Sequence, residues 1–152
     1  MKRYLPFLAS ALLLASCAPS PEPIEYGSDY CHFCKMTIVD RQHGAEAVTD
    51  KGKVYKFDAI ECMVNYLKQN PDQEWAYLLV NPFENPGDFF PAQEATYLIS
   101  PNLPSPMGAY LTAFASEAEA QAVQAEKSGD LLGWQDLPER LRTGEAMSTM
   151  EE

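Results

Sequence analysis

The stretch that decides the fold is Glu46-Ala-Val-Thr-Asp-Lys-Gly-Lys-Val-Tyr-Lys-Phe-Asp-Ala-Ile-Glu-Cys-Met-Val-Asn-Tyr-Leu67. Asp50-Lys51-Gly52 is a short turn between two β-rich runs, Glu46–Thr49 and Lys53–Phe57, and the three together read as a hairpin. Asp58-Ala-Ile-Glu61 then has the form of a helix N-cap with an acidic residue three positions on. Ile60, Met63, Val64 and Leu67 recur at helical spacing, and Asn70-Pro71 stops the helix. Trp75–Val80 follows as a strand. The order is strand, strand, helix, strand.

The same order returns downstream. Ala95–Ile99 and Met107–Phe114 are strand candidates around a Pro-rich loop, and Ser116-Glu-Ala-Glu119 has capping-box form. That box opens an Ala-rich helix running to about Lys127, with Ala118, Ala122 and Ala125 as its seam, and Gly129 ends it. A short strand near Trp134 closes the second half. The expected fold class is therefore α+β, two small homologous ββαβ units packed together. The first spans 29–84 and the second 85–142.

Ahead of these units lies an address. Lys2 and Arg3 precede an apolar run from Leu5 to Ala15, too short to span a bilayer as a permanent helix. The run ends in Leu14-Ala-Ser-Cys17, which resembles the lipobox of bacterial lipoproteins. That resemblance implies a signal peptide over 1–16 and a lipidated N-terminal Cys17. Ala18, rather than Asp, after Cys17 implies sorting to the outer membrane. Residues 17–28 then form a lipidated, flexible tether, with three prolines between Ala18 and Pro23 favouring an extended spacer. Residues 143–152 are expected to be a disordered acidic tail.

Composition removes several function classes. The 152 residues carry 11 Lys+Arg against 22 Asp+Glu, a formal net charge of −11. Loss of Lys2 and Arg3 with the leader leaves 9 against 22, or −13. Duplex nucleic-acid binding depends on Lys and Arg neutralising phosphates, so no nucleic-acid partner is expected. There is no G-x-S-x-G, no P-loop and no dinucleotide fingerprint, and neither His32 nor His43 has a triad context.

Cys31-His-Phe-Cys34-Lys-Met36 is the most informative hexapeptide. Two thiols three positions apart can face one point from a tight turn, and Met36 adds a thioether. Thiolate with thioether is a soft donor set that selects Cu(I) over hard ions. Pro104-Ser-Pro-Met107-Gly108 offers a second thioether in a proline-fixed loop, where Gly108 would let the backbone approach closely and Met107 would start a strand. Cys62 lies one turn into the first helix, offset from its apolar stripe, and is a further candidate donor. The expected site binds Cu(I) between the two halves through Cys34, Met36 and Met107, with Cys31 or a histidine (His32 or His43) nearby.

Other chemistries use the same cysteines. Cys31 and Cys34 could form a structural disulfide in an oxidising compartment. A thiol–disulfide oxidoreductase places its C-x-x-C at a helix start after a strand, whereas Glu25–Tyr30 is a poor strand and Thr37-Ile-Val39 is β-branched. A zinc site could combine Cys31, Cys34, Cys62 and a histidine but would leave the methionines unused. A c-type haem needs a histidine where Lys35 stands.

The lipobox cysteine, the Pro-rich tether, Cys31-x-x-Cys34-x-Met36, Phe57-Asp58 followed by Cys62, and Pro106-Met107-Gly108 together resemble the NosL family. The resemblance covers the chain up to about Arg142. It implies a lipid-anchored periplasmic Cu(I) chaperone without catalytic activity, serving the maturation of nitrous oxide reductase. Its implied partners are the reductase apoprotein and an ABC-type membrane assembly complex. It also implies paired ββαβ units resembling organomercurial lyase, and copper donors at Cys31, Cys34, Met36 and Met107.

Overall fold

A computed structural model describes residues 18–142. The signal peptide, Cys17 and the segment 143–152 lie outside the described residues.

The hairpin is β1 (Ala45–Thr49) and β2 (Val54–Phe57), paired antiparallel with Ala45 opposite Phe57 and Glu46 opposite Lys56. Helix α1 (Ile60–Gln69) follows and returns the chain to β3 (Trp75–Val80), which pairs antiparallel with the other edge of β1. A two-residue strand, β4 (Phe90–Pro91), adds to β3, so the first sheet runs β2-β1-β3-β4. The second half holds β5 (Thr96–Ile99), β6 (Leu111–Phe114), α2 (Glu117–Lys127) and β7 (Asp130–Leu132), with the sheet order β6-β5-β7. In each half the first strand is central, flanked by its hairpin partner and by the strand after the helix. A 3-10 turn (Trp134–Asp136) and the short helix α3 (Leu137–Arg140) end the fold.

The two halves share one core. Ile38, Ala45, Phe57, Ile60 and Met63 of the first pack in the same buried cluster as Tyr97, Ile99, Leu111, Ala113 and Leu137 of the second. Polar ties reinforce the seam: Phe83 N–H donates to the Ala113 carbonyl at 2.8 Å, and Ala115 N–H to Glu84 Oε1 at 2.9 Å.

Several local expectations give way to tertiary context. Asp58 does not cap α1. The N-cap position is Ala59, and Asp58 is buried instead. Ser116 occupies the N-cap of α2 without a side-chain cap bond. The packed seam of α2 is Ala120 with Val123, while Ala118, Ala122 and Ala125 face outward. An alanine-rich helix has several equivalent small-residue faces, so period alone does not choose among them. The strand expected from Met107 begins only at Leu111, because Gly108 (φ 76°) and Tyr110 (φ 56°) hold left-handed backbone incompatible with a strand. Gly108 serves that turn rather than a close approach, since a Cβ there would meet nothing within 4 Å. The strand expected near Trp134 lies just before it, at Asp130–Leu132.

The segment Ala18–Ile24 lies against the first sheet. Pairing alternation places Ala45 and Ala47 in the main core and Glu46 and Val48 on the opposite face. There Glu22 N–H donates to Glu46 Oε1 at 3.0 Å. Lys56 Nζ donates to the Pro23 carbonyl and to Asp29 Oδ2, both at 2.8 Å, and Ile24 is buried. The prolines keep this strap extended, and Glu46 and Lys56 hold it down.

Glu46 is fully buried, its Oε2 has no hydrogen-bond partner among the described residues, and burial pushes its pKa up to about 7. The Glu22 N–H and the Lys56 charge oppose that shift, while the Glu22 and Asp29 carboxylates add to it. A folded-state pKa above the unfolded value adds stability below the unfolded pKa and forfeits it as pH rises through the folded one. Wild-type melting temperature should therefore fall between pH 5 and pH 8 by more than that of Glu46→Gln, as read by thermal unfolding. Parallel curves for the two proteins would contradict this account.

Candidate metal centre

Cys31 to Met36 form a tight loop closed by the antiparallel Tyr30–Thr37 bridge. Cys31 N–H donates to the Met36 carbonyl at 2.8 Å and Lys35 N–H to the Cys31 carbonyl at 3.1 Å, with Lys35 in left-handed backbone (φ 66°). The loop is stitched to β2, where His32 N–H donates to the Lys56 carbonyl at 2.9 Å. This places it at the Phe57 end of the hairpin, beside the start of α1. Cys62, in the first turn of α1, meets it there.

The Sγ atoms of Cys31, Cys34 and Cys62 all lie within 4.8 Å of one another, and all three cysteines are free. Cys31 and Cys62 are buried and Cys34 is half-exposed. Thiolate–metal bonds near 2.3 Å put sulfurs that share one ion about 4 Å apart, so a small contraction would let all three bind. Residues 60 to 64 of α1 are buried all round. That is why Cys62, outside the apolar stripe, still points inward.

The three thiols divide the charge unequally. The Cys62 thiol, donating to Cys31, is the leading cause that brings the Cys31 pKa down to about 5; amides of Asp58, Cys34 and Phe33 also favour the thiolate, against burial. Cys34 N–H lies 3.5 Å from the Cys31 sulfur. Cys62 is pushed far up because its proton is held by Cys31, and burial raises Cys34. One thiolate is thus held ready at Cys31, close to the positive end of α1. Burial, then the Cys31 charge, raises the Asp58 carboxyl, whose Oδ1 has no hydrogen-bond partner among the described residues.

The expected donors divide in a different way. Met36 and Met107 are exposed, at 52% and 40%. The Met107 loop is tied to α1 through Glu61, whose Oε1 accepts from Ser105 Oγ at 2.8 Å and from Ala109 N–H at 3.4 Å. A clamp from the residue before Cys62 therefore fixes the loop of the second half, a long-range pairing with no local sequence signal. Neither histidine contributes a nitrogen to the cluster. His43 is buried with Nδ1 3.0 Å from Asp40 Oδ2 and Nε2 3.1 Å from Thr112 Oγ1. His32 Nδ1 accepts the Lys56 N–H at 3.3 Å, and its ring stacks edge-on against Tyr55. Among the described residues, the cluster able to hold an ion is made of cysteine alone.

The family model named NosL matches residues 24–142. The chain belongs to the NosL family. A relative from Stutzerimonas stutzeri, described as copper-binding lipoprotein NosL, is 30% identical over 131 residues, covering 80% of this chain and 69% of that protein. The crystal structure of the copper chaperone NosL from Shewanella denitrificans superposes with a TM-score of 0.66 at 19% identity, over 77% of this chain and 94% of that one. Its likeness places this α/β arrangement among NosL folds.

If the Cys62 proton sustains the Cys31 thiolate, Cys62→Ala should move the acidic thiolate transition upward from about pH 5. Thiolate absorbance in reduced, metal-free protein reads it, and an unmoved midpoint would contradict the shared-proton arrangement.

Proposed function

We propose that this NosL-family chain is a lipid-anchored Cu(I) chaperone that takes its cargo at Cys31, Cys34 and Cys62 and passes it on past Met36 and Met107. The observation that carries this reading is the convergence of three sulfurs with no histidine nitrogen or carboxylate among them. An all-sulfur set of low coordination number suits a soft monovalent ion. Binding to the two protonated thiols releases protons, so affinity falls as pH drops.

Delivery needs an opening. Cys34 is half-exposed, and Met36 and Met107 stand on the surface as thioethers. A partner's sulfur can bond to copper there before a protein sulfur lets go, so copper moves without ever being free and without a redox change. The lipobox at Leu14–Cys17 supports anchoring through Cys17 on the periplasmic side of the outer membrane. Family membership supports nitrous oxide reductase apoprotein and an ABC-type assembly complex as partners. The acid excess would favour basic docking faces, with association slowing as salt rises.

The oxidoreductase alternative fits the geometry poorly. Disulfide exchange needs an exposed thiolate, yet the thiolate is the buried Cys31 and the half-exposed Cys34 is held protonated. In a competition titration against a Cu(I) chelator, Cys31→Ser and Cys34→Ser should each lose more than about tenfold in affinity. Met107→Leu should chiefly slow transfer to an acceptor. Wild-type affinity in both cysteine variants would refute the site. Rapid reduction of a protein disulfide by protein that binds no Cu(I) would install the alternative.

A further inference from the structure

The strap fixes where the chain leaves the fold. Pro19 is half-buried, and its Cα lies 3.9 Å from where a Cβ on Gly52 would stand, so the chain leaves the fold beside the β1–β2 turn, Asp50–Lys53. Towards the fold, the strap is held by Glu22 N–H on Glu46, by Lys56 on the Pro23 carbonyl and by the buried Ile24. Cys17 is two residues from Pro19, a reach of at most about 7 Å. A free spacer of a dozen residues would instead wander over roughly 20 Å. The sulfur cluster sits at the other end of the same hairpin. From Gly52 to Phe57 are five strand steps of about 3.3 Å, which put it roughly 17 Å beyond the turn.

We propose that the docked strap seats the β1–β2 turn on the lipid surface and turns the Cys31–Cys34–Cys62 cluster away from it. The occupant of this end is the bilayer carrying the protein's own acyl chains. The inference rests on lipidation of Cys17. It follows that a copper donor or acceptor must approach from the aqueous side, because the strap leaves little slack for the domain to turn over.

Lysines at known places report the orientation. Lys51 and Lys53 are exposed at the turn, Lys35 is exposed in the cysteine loop and Lys127 is exposed at the end of α2. Full-length lipidated protein would be reconstituted on phosphatidylcholine vesicles, floated and labelled with a membrane-impermeant amine reagent. Labelling at each lysine would be compared with that of soluble Cys17→Ser protein by peptide mass spectrometry. Lys51 should lose several-fold in labelling on vesicles, while Lys35 and Lys127 keep their soluble values. Lys56→Ala, which frees the Pro23 carbonyl, should still float but lose most of the Lys51 protection. Protection of Lys35, or equal labelling of all sites on floated protein, would overturn the orientation. Protein that fails to float would remove the anchor itself and the inference with it.

Discussion

The convergence of the Cys31, Cys34 and Cys62 sulfurs, with Cys31 biased towards thiolate, is the constraint around which the rest of this structure is arranged. A charge taken out of water is costly unless hydrogen bonds and nearby dipoles meet it. Here the Cys62 thiol and the backbone amides of Asp58, Cys34 and Phe33 do so. These groups come from three places: the 31–36 loop, the end of β2 and the start of α1. The loop has to close tightly, the hairpin has to end at Phe57, and the helix has to begin at once. The ββαβ order of the first half is the short route that satisfies all three.

The second half supplies what the first cannot. Its strands complete the core under α1, and its 105–109 loop reaches back to Glu61. The loop that carries Met107 is thus held by the residue adjoining a cysteine of the first half. The cysteine cluster is deep on one side, where Cys31 and Cys62 are sealed, and more open at Cys34, while Met36 and Met107 are exposed on the surface. In the proposed chaperone reading, retention and release of a soft ion fall to different donors. The buried histidine is spent on structure, joining Asp40 to Thr112 across the two halves.

The hairpin, α1 and Trp75–Val80 were legible because alternation, turn chemistry and helical spacing agree within a few residues of one another. What could not be read is non-local. Asp58 looks like a cap, but the cysteine loop and the Val39 segment bury it. The Ser116 helix presents nearly the opposite face from the one expected, because its alanines do not discriminate faces. Cys31 and Cys34 announce themselves by spacing. Cys62 does not, since only the fold shows that the first turn of α1 has no outer face. The burial of Glu46 within its strand depends on the strap that lies over it, a contact across 24 residues.

Sulfur coordination of copper is the central claim. X-ray absorption of the Cu(I)-loaded protein at its copper edge, with Cys62→Ala alongside, tests it most directly. Three sulfur neighbours in wild type, reduced by one or exchanged for a longer thioether contact in the variant, is the predicted result. A first shell containing nitrogen or oxygen, or a shell unchanged by removal of Cys62, would contradict it.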